Sequence, residues 1–207
     1  MPESRNAPVS SPLLRASSCL RDGGMLILSE ERDKTLFNHL AIAAQFATAD
    51  RVNFMAKHCR GLVSLILHAS IVDRLRLPLA PQSNRSRLAT AFTVSIEARE
   101  GVSTGISAAD RAATIAAAIR PDAAPEDVVS PGHIFAVRVE EGEFRGKPGT
   151  ASASVELCRV GGLTPAAVLC SMLGRDGGMT SAAEAAEFAR HHGIPLVRVE
   201  SLSGSAG

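Results

Sequence analysis

Short apolar runs alternate along the chain with longer stretches whose apolar residues recur at helical spacing, the pattern of interleaved strands and helices. Residues 25–28 (MLIL) follow a glycine pair and predict a buried strand. Residues 29–34 (SEERDK) predict a charged loop, and residues 40–46 are apolar. Residues 50–58 carry a helical pattern with Asp50 as N-cap. Residues 62–67 (LVSLIL) predict a second buried strand, and 71–77 a short helix that Pro78 stops. A polar loop is expected over 81–87. Residues 92–97 (FTVSIE) alternate apolar and polar, as a strand does. Residues 107–119 predict a helix, with Ser107 and Asp110 spaced as in a capping box and Pro121 ending it. Then follow a strand over 134–139, a polar connection over 140–148, a helix over 151–161 and a buried strand over 166–172. A helix over 181–192 is closed by Gly193, and a last strand covers 196–199. Residues 1–20 are rich in Ser, Pro and Arg and show no period. The expected organisation is a mobile tail over 1–21, one domain over 22–203 and a tail over 204–207. The interleaving implies an α/β or α+β class, without a solenoid repeat.

Composition narrows the function classes. Apolar residues make up 45% of 207, enough for one packed core. The 22 basic and 21 acidic residues nearly cancel, which argues against nucleic acid or an anionic membrane as partner. Seven Phe with no Trp or Tyr make stacking platforms for single strands a poor expectation. Cys19, Cys59, Cys158 and Cys170 form no CxxC pair, so no zinc knuckle or thioredoxin-type motif is present. With no signal-like or membrane-length apolar run, the expected location is the cytoplasm, with reduced thiols.

Three ordered stretches carry a resemblance. The first is residues 101–111 (GVSTGISAADR), preceded by Phe92-Thr93-Val94. The second is Ser130-Pro131-Gly132-His133-Ile134-Phe135. The third is residues 165–170 (PAAVLC), followed by Asp176-Gly177 and Met179. In order and spacing they resemble the 3,4-dihydroxy-2-butanone 4-phosphate synthase family across residues 22–203. The resemblance implies an α+β, three-layer α/β/α sandwich-like fold, and a homodimer with sites at the subunit interface. It implies conversion of ribulose 5-phosphate to dihydroxybutanone phosphate and formate, for riboflavin synthesis. In the family, Mg²⁺ polarises substrate oxygens while acid/base residues move protons through enediols.

Against that pattern several positions depart. Where the family has an acidic loop, this chain has residues 29–39 (SEERDKTLFNH), with Lys34 at the substrate Arg, Thr35 at the metal-binding Glu and His39 at the substrate Asp. Its Arg-Gly-Gly-His-Thr-Glu becomes Lys147-Pro148-Gly149-Thr150-Ala151-Ser152, with Thr150 at the ligand His. Its catalytic Glu becomes Ser171, and the Cys of its second strand becomes Ser64. Lys147 is a point charge rather than a bidentate fork. Of the family's acid/base pair only His133 remains. By the resemblance, the substrate-binding set is Lys34, Thr35, Thr104, Lys147, Gly149, Thr150 and Ser171, with no metal ligand and no cofactor retained.

Each residue also has a plainer reading. His133 is either catalytic or a polar partner of a turn. His39 is either a new acid/base partner for it or a solvated loop residue. Lys34 and Lys147 either hold an anion or are ordinary surface lysines. His58, His191 and His192 read as helix-end residues, and Cys59 and Cys170 as small buried groups. The leading expectation is a repurposed enzyme on this scaffold, with metal-independent acid/base chemistry on a non-standard carbonyl substrate. The alternatives are a non-catalytic binding or partner subunit, and a surviving synthase.

Overall fold

A seven-stranded mixed sheet organises the chain. The computed structural model describes residues 11–81, 90–146 and 148–203. The strands are β1 (Leu26–Arg32), β2 (Thr35–Ala43), β3 (Arg60–His68), β4 (Ile96–Ala98), β5 (Val128–Val139), β6 (Ala166–Met172) and β7 (Leu196–Arg198). Their order across the sheet is β4-β5-β3-β6-β2-β1-β7. β1–β2, β2–β6, β3–β6 and β4–β5 pair antiparallel, whereas β3–β5 and β1–β7 pair parallel. The helices are α1 (Pro12–Arg21), α2 (Ala49–Cys59), α3 (Ala69–Arg74), α4 (Ala108–Ile119), α5 (Thr150–Val160), α6 (Ala182–His192) and α7 (Glu200–Ser203).

Side-chain alternation on the central strands divides the apolar residues between two cores. One face carries Ile27, Leu40, Ile42, Leu65, Val168 and Cys170 and packs against α2, α3, α4 and part of α6. The other carries Leu26, Leu28, Ala41, Ile66 and Leu169 and packs against α1, α5 and α7. The sheet is therefore sandwiched between helices on both faces, the expected three-layer α+β arrangement.

Four local expectations are corrected. Residues 12–21 are not a tail: Ser11 caps α1 by accepting from Leu14 N–H, Pro12 opens it, and Leu13, Ala16, Ser17 and Leu20 form a buried stripe. The stretch lacked visible period because the stripe includes Ala and Ser, small residues that fit against α5. Residues 29–32 are strand, not loop, since β1 runs to Arg32 and pairs with β2 across a two-residue turn. Asp33 and Lys34 both take positive φ there, the hand that a tight hairpin needs. The expected strand over 92–97 shrinks to β4 and isolated bridges at Phe92 and Thr93. Thr48 caps α2 through its side chain, which places Asp50 inside the first turn. The polar loop over 81–87 falls, apart from its first residue, outside the described residues, as do 1–10 and 204–207.

Candidate active site

Beside the N-terminal end of α5, a cleft of about 290 Å³ opens on the α1/α5 face of the sheet. Period-two alternation aims Glu30 and Arg32 of β1 and Phe37 and His39 of β2 into it, joined by Ser64 of β3, Ser171 of β6 and Thr150 of α5. Register explains the grouping: Glu30 pairs Phe37, and His39 stands opposite Ser171.

The floor holds a charged pair at a helix terminus. Glu30 is only 5% exposed. One of its carboxylate oxygens accepts from Arg32 Nε, and the other accepts from Thr150 N–H at 2.8 Å. That amide is an otherwise unpaired donor of the first turn of α5, whose dipole also favours a carboxylate there. Gly149 makes the approach feasible, because a Cβ at this position would lie 2.8 Å from an Arg32 guanidinium nitrogen. Beside the pair, Nδ1 of His39 is buried without a hydrogen-bond partner. Burial, and then the nearby charge of Arg32, push the His39 pKa down to about 4. His39 is thus neutral at physiological pH, with one ring nitrogen unsatisfied beside the cleft.

The structure brings some of the expected site residues together and separates others. His39, Thr150 and Ser171 line the cleft, and Gly149 packs against its charged pair. Lys34 does not: as a turn residue it borders a groove with Ser29, Glu31 and Leu36 on the opposite face of the hairpin. Thr35 is exposed at the hairpin end, and Thr104 is exposed in the loop before α4. Lys147 lies outside the described residues. His133 sits on β5, three strand spacings from β2, or roughly 14 Å. It pairs instead with Glu97, whose carboxylate lies 3.0 Å from Nδ1. Within one protomer His133 and His39 therefore do not form a proton-transfer pair. Of the cleft's charged residues, Arg32 was not singled out from the sequence, and Glu30 was read as part of a solvated charge run, one member of which would approach the pocket on a slip of the loop register. Their signal was the alternation of Leu28, Glu30 and Arg32, hidden because Asp33-Lys34 is a weaker hairpin mark than Asn-Gly.

The family's Mg²⁺ does not fit the residues present. Glu30 is the one carboxylate among the cleft's described lining, and both of its oxygens are engaged by Arg32 and Thr150. Thr35 offers a neutral hydroxyl away from the cleft. Mg²⁺ calls for free, hard, preferably anionic oxygens in near-octahedral array. Among the described residues no cluster of three His, Cys, Asp or Glu side chains is placed to hold a metal.

The chain is thus an α/β/α sandwich with a cleft lined by an ion pair, a neutral imidazole and hydroxyls. Comparison with known proteins shows its family. Residues 15–204 match the profile of 3,4-dihydroxy-2-butanone 4-phosphate synthase, and the chain belongs to that enzyme family. It is 42% identical over 192 residues to the synthase of Neisseria meningitidis serogroup A, covering 93% of this chain and 53% of that protein. It is 43% identical to the synthase of Pelobacter propionicus, covering 90% and 80%. A crystal structure of a two-domain synthase from A. baumannii superposes with a TM-score of 0.87 at 36% identity, covering 93% of this chain and 56% of that one. A synthase solved in complex with two magnesium ions superposes at 0.85 with 31% identity, covering 91% and 93%. The chain spans about half the length of the Neisseria relative.

These findings overturn the expectation of a repurposed enzyme acting on a non-standard carbonyl substrate. Relatives about 42% identical over more than nine-tenths of the chain are named 3,4-dihydroxy-2-butanone 4-phosphate synthases. That expectation weighted a few substitutions in the hairpin and at the start of α5 above the likeness of the whole chain. Among the described residues, no helix is long and apolar enough to cross a membrane.

Proposed function

We propose that this chain carries the family's lyase reaction, converting ribulose 5-phosphate to 3,4-dihydroxy-2-butanone 4-phosphate and formate. The observation that carries the reading is the cleft itself, which sets a buried carboxylate–guanidinium pair beside an unsatisfied neutral imidazole. The relatives' names supply the product, and the substrate is the one that the resemblance to the family implies. Enediol chemistry needs a proton taken from one position and returned to another. Neutral His39 can accept a proton from a substrate hydroxyl, with Arg32 placed to stabilise developing negative charge. Ser171 and Thr150 offer hydroxyls to orient the substrate. We assign no step to Mg²⁺ and expect none to be held.

The second acid/base group is His133, delivered by a second copy of the chain. Leu62, Phe135 and Met179 are each more than a third exposed, and Leu62 and Met179 line the cleft. An apolar rim of this kind suits an interface between copies. A two-fold homodimer would present the partner's His133 and Thr104 to the cleft. A non-catalytic binding subunit is the second reading. It is favoured by one observation, that the only described carboxylate of the cleft is already locked in a pair.

One assay separates these readings. Purified protein is incubated with ribulose 5-phosphate, either with Mg²⁺ or with a chelator, and formate is quantified. Formate in both arms supports a synthase that works through its own side chains. Formate only with Mg²⁺ overturns the cofactor assignment. No formate, while calorimetry shows ribulose 5-phosphate binding, replaces the lyase by the binding subunit.

A further inference from the structure

His133 is held by more than its own strand. The β4–β5 ladder slips between Ile96 and Glu97: Ile96 pairs Ile134, but Glu97 pairs Val129. The intervening residues 130–133 bulge out of the ladder, and the bulge displays His133 opposite Glu97. Gly132 permits the bulge, because a Cβ there would run into the backbone of Ile96 and Glu97. Its N–H donates to Ser95 Oγ at 3.2 Å, which ties the bulge to the chain leading into β4.

Glu97 is in turn confined. Its side chain is 14% exposed against 42% for His133, so this carboxylate is the fixed member of the pair. On its other side lies Gly105, at φ +81°, where any Cβ would coincide with the Glu97 carboxylate. The Gly105 loop is itself anchored. Asp110 of α4 accepts from Ser103 N–H at 3.3 Å, Ser103 Oγ at 2.9 Å and Gly105 N–H at 2.9 Å. A buried carboxylate on α4 thus orders a loop, the loop closes on a second carboxylate, and that carboxylate meets one nitrogen of an imidazole.

We infer that Glu97 is the positioning residue of His133: it holds the ring with the proton on Nδ1 and leaves Nε2 as the open, unprotonated face. A neutral imidazole beside an ionised carboxylate can satisfy that contact only by donating from Nδ1, because a carboxylate accepts and does not donate. The other nitrogen is then an acceptor, the form needed to take a proton from a substrate. This inference rests on the reading of His133 as an acid/base residue. It adds what sets its tautomer, and it names Gly105 as the position whose missing side chain leaves room for Glu97.

The test reads the tautomer directly. The full-length protein is labelled with ¹⁵N-histidine, and long-range ¹H–¹⁵N spectra are recorded at alkaline pH. The chain has six histidines, so His133→Asn identifies the His133 signals by their loss. The expected wild-type pattern is a protonated Nδ1 and a bare Nε2. Glu97→Gln keeps an acceptor oxygen and should keep that pattern. Glu97→Ala should move the proton to Nε2, and Gly105→Ala, which displaces the carboxylate while keeping it in the chain, should do the same. An unchanged tautomer in both alanine variants, or a bare Nδ1 in the wild type, overturns the inference. If ribulose 5-phosphate is turned over, Glu97→Ala should lower kcat by at least about tenfold with little change in KM, and Glu97→Gln should recover part of the loss. A wild type that holds the Nδ1 proton but releases no formate removes the proposed reaction and leaves the positioning role standing.

Discussion

At the scale of single residues, His39 couples the cleft to pH. Its ring is neutral in the folded protein down to about pH 4, whereas an unfolded histidine takes up its proton near 6.5. Between those values the unfolded state binds a proton that the folded state does not. Stability therefore falls as pH is lowered through that window, and the full contribution is present above it. The shift corresponds to about 3 kcal/mol at most. Urea unfolding at neutral pH and at pH 4 should show His39→Asn losing less stability on acidification than the wild type. Equal losses would mean that the ring is not buried as a neutral base. Glu30 matters through its hydrogen bonds, accepting from Arg32 Nε and from the Thr150 N–H. Glu30→Ala should leave Arg32 and the Thr150 amide without their partner and cost about 1–3 kcal/mol in chemical denaturation. Glu30→Gln should cost less, because it still offers one acceptor.

At the scale of elements, the β1–β2 hairpin decides which charges enter the cleft. A two-residue turn at Asp33-Lys34 puts Glu30, Arg32, Phe37 and His39 on one face and Glu31, Lys34, Leu36 and Asn38 on the other. A one-residue change of register would exchange the two sets. Aligning residues by motif position alone put Lys34 at a substrate position, whereas the pleat aims Arg32, not Lys34, into the cleft. Lys34→Ala should therefore leave binding of ribulose 5-phosphate unchanged in calorimetry, and Arg32→Ala should weaken it by at least about tenfold. Helix α1 makes a second test of an element. Leu20 is fully buried against α5, so Leu20→Ala should destabilise the fold by about 2–4 kcal/mol. If residues 12–21 were a mobile tail, the same change would leave the thermal midpoint untouched.

At the scale of the whole molecule, His39 and His133 lie three strand spacings apart in one protomer, too far to exchange a proton directly. The exposed Leu62, Phe135 and Met179 supply an apolar rim for a second copy. Light scattering should give about twice the 21.6 kDa of the chain. Leu62→Glu combined with Phe135→Glu should give monomers that retain the helical circular dichroism of the wild type. A monomeric wild type at micromolar concentration would remove the route by which His133 reaches a cleft.

Most strands and helices from residue 50 onward and the family were legible along the chain, because hydrophobic period and three long motifs survive reading in one dimension, whereas β2 was read only as a charged loop followed by an apolar run. Ser171 and Thr150, picked out from motif position, line the cleft together. The sequence alone did not show α1, whose buried stripe of Leu13, Ala16, Ser17 and Leu20 has meaning only against α5. Nor did it show the Glu30–Arg32 pair, which depends on a hairpin closing after Arg32 and on the N-terminal end of α5 arriving beside it from residue 150. The pairing of His133 with Glu97 is of the same kind, joining residues 36 apart through a bulge in the sheet. Which residues form elements is governed by local periodicity. Which charged groups share a cavity is settled by register and packing, where a shift of one residue turns a side chain to the opposite face.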